Sequence, residues 1–204
     1  MHPVTLKLDK AGKRFGRHWI IRDFTDTFSG GELIGIKGRN GSGKSTLLRL
    51  LCGQLTPSRG SSVCTIGGKE VAPAVRYKHV AWTGPYLEIV EELTIVEFLQ
   101  FHFALKPMLP GLTLTDIPQR LELDHVRNRK ITDCSSGMRQ RVLLGSALYA
   151  ATEILLLDEP TVTLDEEAAE WFHSELRKFR HERLVFIASN DPDDLRDCTR
   201  MVTL

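Results

Sequence analysis

The residues Gly38-Arg39-Asn40-Gly41-Ser42-Gly43-Lys44-Ser45, continued by Thr46, have the types and spacing to hold a phosphate chain. They match G-x-x-x-x-G-K-[ST], the phosphate-binding P-loop. Glycines let the backbone turn with no side chain in the way, so successive N–H groups converge on one concavity. Lys44 would then reach the β- and γ-phosphates, and the Ser45 hydroxyl would ligate Mg²⁺. A second group that could do chemistry is Asp158-Glu159, directly after the apolar run Ile154-Leu155-Leu156-Leu157. Acids at the carboxyl end of a buried parallel strand lie beside such a loop in a doubly wound sheet. Asp158 suits the Mg²⁺ coordination shell, and Glu159 suits orienting and polarising an attacking water.

The elements that must position these groups follow from the pattern on either side. Glu32 to Lys37 reads as a strand feeding the loop, and Leu47, Leu48, Leu50 and Leu51 mark an apolar helix after it. The N-terminus of that helix adds its dipole to the anion site. Upstream, Val4 to Leu8 alternates like an edge strand. Lys13-Arg14-Phe15-Gly16 reads as a loop with one exposed aromatic, and a second strand starts at Trp19-Ile20-Ile21. Ser29-Gly30-Gly31 turns the chain into the P-loop strand. Further strands are expected at Val63 to Ile66 and at Lys78 to Trp82.

A stretch at about 85–150 then interrupts the strand–helix alternation. Thr94 and Glu97 form a capping box that opens a helix from Ile95 to Leu105, which Pro107, Pro110 and Gly111 end. A short helical segment covers Ile117 to Leu123. Ser135 stands where an N-cap belongs for a helix reaching about Tyr149. Ile154 to Leu157 reads as a parallel strand buried on both faces. Asp165 opens a helix with Phe172, Leu176 and Phe179 on its apolar face, and strands follow at Leu184 to Ala188 and Met201 to Leu204. The fold class expected is α/β: a P-loop core with a mostly parallel sheet, flanking helices, an antiparallel edge and a small helical insert.

Composition bounds the alternatives. The chain has 204 residues, with 42% hydrophobic and 26% charged, ordinary for a soluble globular domain. A formal net charge of +1 without blocks of like charge gives no footprint for nucleic acid. The apolar runs are too short to span a bilayer, and no signal-peptide core opens the sequence. Cys52, Cys64, Cys134 and Cys198 lack metal-ligand spacing and read as reduced, mostly buried thiols.

Taken together, these motifs resemble the ATP-binding cassette (ABC) ATPases over nearly the whole chain, as one domain spanning 1–204. Gly38 to Thr46 matches Walker A, Ile154 to Pro160 extended Walker B, and Leu164-Asp165 the D-loop. Ser135-Ser136-Gly137-Met138-Arg139-Gln140-Arg141 sits at the place of the LSGGQ signature. Phe15 sits at the place of the aromatic that stacks on adenine. The resemblance implies two cassettes packed head to tail as a homodimer or heterodimer, each ATP lying between one Walker A and the opposite signature. Ser135, Ser136 and Gly137 would then meet the γ-phosphate of the other chain. It also implies an integral membrane permease that docks a short helix on a surface including Tyr86 to Glu92. The expected location is the cytoplasm, peripheral on the cytoplasmic face of the membrane.

Three motifs depart from the family pattern. Ser136 places a hydroxymethyl group where the family has bare backbone, and Cys134 and Met138 replace the family's Leu and Gln. Thr83-Gly84-Pro85-Tyr86 carries no Gln at the loop that normally touches Mg²⁺ and water. Asn190 stands in place of the switch His; it can donate to a γ-phosphate but is shorter and carries no charge. Alternatives to a transporter ATPase are a soluble ABC protein acting without a permease, and a slow cassette using ATP mainly for assembly.

Overall fold

A computed structural model describes residues 2–85 and 87–204. Tyr86, the first residue of the expected docking surface, lies outside the described residues. The chain divides into two compact units, Met1–Trp82 with Thr152–Glu159 and Arg180–Leu204, and Thr83–Ala151 with Pro160–Phe179.

The first unit is built on two sheets. Strands β1 (Val4–Phe15), β2 (His18–Ser29), β4 (Arg59–Ile66) and β5 (Lys69–Glu70) form an antiparallel sheet in the order β2-β1-β4-β5. The second sheet runs β6-β7-β8-β3-β9, with β3 at Leu33–Lys37, β6 at Val80–Thr83, β7 at Ile154–Asp158, β8 at Leu184–Ala188 and β9 at Arg200–Thr203. Here β7 pairs with β8, and β3 with β8 and β9, all parallel. The antiparallel strands thus make a sheet of their own. Along the first half of β1, Val4, Leu6 and Leu8 are buried while Thr5 and Lys7 are exposed, as period-2 alternation requires for a sheet covered on one face. All five residues of both β7 and β8 are buried, the mark of strands covered on both faces. The core joins Leu6, Leu8 and Phe28 to Ile36, Leu156 and Phe186, and to the apolar side of α1 (Lys44–Leu51). Phe28 and Phe186 meet edge to face at 4.9 Å.

Helix α1 is anchored at its far end by a residue that hydrophobic patterning does not single out. Arg76, 1% exposed, lies in a 3₁₀ segment, Pro73–His79. It donates to Leu51 O at 2.9 Å and to Ser62 Oγ and O, each at 3.1 Å. A carbonyl left unpaired at the C-terminus of α1 is thereby satisfied and joined to β4.

Several local expectations need correction. Lys13-Arg14-Phe15 is not a loop but the end of β1, which reaches Phe15 through irregular pairing with β2. Register shifts between Leu8, Ala11, Lys13 and Arg14 break the alternation there, so the sequence loses its strand signature while the backbone stays extended. Strand β1 is also interior rather than an edge, because β4 pairs on its other side. Lys78 and His79 belong to the 3₁₀ segment, and the strand starts at Val80. The helix α3 covers only Ile117–Arg120.

The second unit is helical. Helix α2 (Ile95–Leu105) opens with the full capping box, Thr94 Oγ1 accepting from Glu97 N–H at 3.2 Å and Glu97 Oε2 accepting from Thr94 N–H at 2.8 Å. Helix α4 (Ser136–Leu148) has Ser135 as its N-cap. Helix α5 (Glu166–Phe179) has Asp165 Oδ1 accepting from Ala168 N–H at 2.9 Å. The buried Tyr149 hydroxyl, just past α4, donates to Glu175 on α5 at 2.8 Å, and Trp171 Nε1 on α5 donates to Arg120 O at the end of α3 at 2.7 Å. These bonds satisfy polar groups that would otherwise be costly to bury.

Candidate nucleotide site

The P-loop leaves the carboxyl end of β3 and enters α1 through two left-handed turns, Gly41 at φ +81° and Gly43 at φ +110°. The turns require glycine: a Cβ on Gly43 would stand 2.8 Å from Ile20 Cγ2, and one on Gly38 would stand 2.4 Å from Ser42 Oγ. Gly43 is also the residue before the first turn of α1. It supplies no side-chain cap, and that turn holds no acidic residue. The early N–H groups of α1 therefore lack the usual side-chain acceptor, and this is the condition for anion binding at a helix start. A cavity of about 820 Å³ borders the loop, lined by Gly38 to Ser42 together with Lys37, Asn190, Thr203 and Leu204.

Lys44 is 6% exposed, and its ammonium is already matched by three acceptors. It donates to Gly38 O at 2.9 Å and Asn190 Oδ1 at 3.0 Å, and pairs with Glu159 Oε1 at 3.3 Å. Three donors meet three acceptors, so a charge that would be costly to bury alone is balanced. Asn190 Nδ2 donates in turn to Asn40 Oδ1, tying the segment after β8 to the P-loop. Sequence spacing conveys none of this, since Asn40 and Asn190 lie 150 positions apart.

The two acids differ sharply in setting. Asp158, 3% exposed, ends β7, with the Ser45 hydroxyl beside its carboxylate. Burial pushes its carboxyl above the usual value; the Ser45 bond opposes that shift, and the neighbouring charge of Glu159 adds to it. Glu159 follows at φ +48°, a left-handed conformation that side chains other than glycine rarely adopt. Its N–H donates to Ala188 O at 2.7 Å, which holds the strained turn against β8. The turn swings the carboxylate off the strand direction, so that Oε1 reaches Lys44 and Oε2 accepts from Ser189 Oγ at 2.9 Å and Asn190 N–H at 3.3 Å. Ser189 was not among the expected site residues, and nothing in its sequence context marks it.

A hydroxyl paired with one carboxylate, as at Ser45 and Asp158, suits Mg²⁺, which takes few protein ligands and completes its shell with water and phosphate oxygens. Among the described residues no cluster of three or more His, Cys, Asp or Glu side chains forms a protein cage for a metal. The Ser45 hydroxyl and the Asp158 carboxylate are the donor types that such a shell takes from protein.

Phe15 ends β1, is 49% exposed, and carries the Lys13 ammonium 5.5 Å from its ring centroid. Ser135, Ser136 and Gly137 open α4 in the second unit. The Ser135 side chain accepts from Met138 N–H at 3.2 Å, and both serines are exposed.

A glycine-rich loop between a buried parallel strand and a helix, with a saturated lysine and a strand-end acid pair, defines a P-loop nucleotide-binding protein. A family profile described as "ABC transporter" matches residues 21–162, and the chain belongs to that family. It is similar to the Nod factor export ATP-binding protein I of Rhizobium leguminosarum bv. viciae, 31% identical, with 100% of this chain and 67% of that protein covered. It is also similar to the sulfate/thiosulfate import ATP-binding protein of Nitrosomonas europaea, 28% identical, covering 98% of this chain and 58% of the relative. The chain thus spans about three fifths of that relative's length. The same fold is seen in a dimeric ATP-binding cassette in a post-hydrolysis state with ADP and Pi, at a TM-score of 0.82 and 22% identity, over 98% of this chain and 94% of that one. A bacterial Atm1-family ABC exporter with ATP bound gives a TM-score of 0.80 at 19% identity, over 100% of this chain and 37% of that one.

Proposed function

We propose that this chain binds Mg-ATP and hydrolyses it as the nucleotide-binding subunit of an ABC transporter, driving a separate membrane permease. The observation that carries the reading is the convergence of Lys44, Glu159 and Asn190 at the carboxyl ends of the neighbouring strands β3, β7 and β8. The unit division supports a single cassette at 1–204 with a helical subdomain inserted at about 85–150.

In this reading the N–H groups from Gly41 to Thr46 and the Lys44 ammonium hold the phosphates, with Arg39, Asn40 and Ser42 shaping the loop and Phe15 stacking on adenine. Ser45 and Asp158 would hold Mg²⁺, which when bound neutralises charge on the β- and γ-phosphate oxygens. Glu159 orients the attacking water through its carboxylate. Asn190 Nδ2 releases Asn40 and donates to a γ-phosphate oxygen. Positioning and general-base effects are each worth roughly two or more powers of ten in rate, so turnover survives with Asn in the switch position, at a reduced rate. Ser135, Ser136 and Gly137 complete the site of a second cassette.

Relatives named as import and as export ATP-binding proteins support the transport role. Among the described residues no helix is long and apolar enough to cross a membrane. In the proposed reading the permease is a separate chain that docks near residues 86–92. Leu87 and Val90 there are 38% and 45% exposed, apolar surface that a docked segment could cover. The proposed location is the cytoplasmic face of that membrane.

Glu159→Gln tests the reading. It should lower ATP turnover by about 100-fold or more while leaving ATP affinity intact, and should trap an ATP-dependent dimer visible by light scattering. A wild-type rate no higher than that of the variant would sink the ATPase assignment and leave an ATP-binding assembly subunit.

A further inference from the structure

The carboxylate of Glu159 is held from behind by a group that lies outside the phosphate site. Ser189 is 0% exposed; its backbone N–H donates to Ile36 O at 3.2 Å, so it is fixed to the strand that carries the P-loop. Its hydroxyl oxygen accepts from Asp191 N–H at 3.0 Å and faces two carboxylates, Glu159 Oε2 at 2.9 Å and the 2%-exposed Asp194 Oδ2. The hydroxyl has one proton, and that proton serves one carboxylate at a time. Asp194 and Asp191 thus fix the oxygen in place, and with its proton turned to Glu159 the hydroxyl holds Oε2, which also accepts from Asn190 N–H at 3.3 Å. This matters because Glu159 sits in a strained left-handed turn with its side chain a quarter exposed. Lys44 is its other side-chain partner, on Oε1 at 3.3 Å, and in the proposed reading it turns toward phosphate when nucleotide binds.

We propose that Ser189, confined by Asp194, is a positioning residue that fixes the Glu159 carboxylate once Lys44 has turned to the phosphates. The inference rests on the reading of Glu159 as the group that orients water. Ser189 touches no substrate; it acts through Oε2, leaving Oε1 to face the water. Removing the hydroxyl therefore lowers the rate of the chemical step and leaves nucleotide affinity alone, because the phosphate-binding groups are untouched. Misplacement of a catalytic group by about 1 Å is worth up to about 100-fold in rate.

Single-turnover hydrolysis, ATP affinity and the lifetime of the ATP-bound dimer test this in the full chain. Ser189→Ala should slow hydrolysis about tenfold and prolong the dimer, with ATP affinity within about twofold of wild type. Because Ser189 is fully buried, the informative pair is Ser189→Thr against Ser189→Val, which match in shape and differ in the hydroxyl. The Thr variant should hydrolyse faster than the Val variant by a similar factor. In a Glu159→Gln background the substitutions should add no further loss, since the group they position is gone. Equal rates for Thr and Val, or a Ser189→Ala loss that persists in the Glu159→Gln background, would overturn the proposal. Full turnover by Glu159→Gln itself would instead overturn the reading of Glu159, so the two failures are told apart.

Discussion

At the P-loop, the charged groups are balanced before any anion arrives. Lys44 has three acceptors, Glu159 has Lys44 and Ser189, and Asn190 bridges Lys44 to Asn40. At the start of α4 the setting is the reverse. Ser135 and Ser136 are exposed, the first turn carries no acidic residue, and the Ser135 side chain only caps its own helix. The first region must exchange partners to take a phosphate, and each bond it gives up subtracts from affinity. The second has little to give up, because its donors face solvent, but it has no phosphate loop of its own. In the proposed reading, one is a site in a resting arrangement and the other is half a site that would be completed by a second chain.

The largest expected effect comes from breaking the balanced region. Lys44→Ala should weaken ATP binding by about 100-fold, the scale of a charge-assisted bond worth roughly 3 kcal/mol. Titration with a fluorescent nucleotide checks this, and an unchanged affinity would remove the P-loop assignment.

An intermediate effect should come from the open region. Ser135→Ala should leave ATP affinity of the isolated chain unchanged and weaken ATP-driven association of a Glu159→Gln chain about tenfold, one hydrogen bond's worth of roughly 1.4 kcal/mol. Sedimentation of both variants gives the result. A loss of affinity in the single chain would mean that the two regions are not separable.

The smallest effect concerns Asp158. Its carboxyl is held above the usual value mainly by burial, so the stability it carries is fully present below its unfolded value and is lost as pH rises through the folded one. At neutral pH the ionised form costs stability, and Asp158→Asn should raise Tm by a few degrees. The gap in Tm should narrow as pH falls toward the raised value. Melting curves across acidic and neutral pH read the trend, and a lower Tm for the variant at neutral pH would contradict it.

What the sequence discloses and what it hides divide along physical lines. Gly41, Gly43 and Lys44 were legible because a tight backbone turn restricts residue type and spacing at once. The capping box at Thr94 and Glu97, the Ser135 cap and the buried runs of β7 and β8 were legible for the same reason, being local patterns. The end of β1 was not, because bulges at Ala11 and Lys13 destroy the alternation on which strand reading depends. The flanking of β1 by β4 was hidden as well, since alternation records burial of one face and says nothing of hydrogen-bonding neighbours. Ser189, Asp194 and Arg76 act through tertiary contacts spanning from 5 to 30 positions, and such contacts leave no periodic trace.

The sheet order has a consequence for how the protein comes into being. Strand β3, which carries the P-loop, is made early in synthesis, yet both of its neighbours, β8 and β9, lie within Leu184–Thr203. A growing chain that has reached α5 therefore holds the complete phosphate-loop sequence with no ladder on either side to shape it. Contacts of such long sequence separation form late and slowly, and unpaired apolar strands invite misassociation meanwhile. Nucleotide capture would then report that the final strands have been inserted, and truncation anywhere before Leu184 would silence a motif more than a hundred residues upstream.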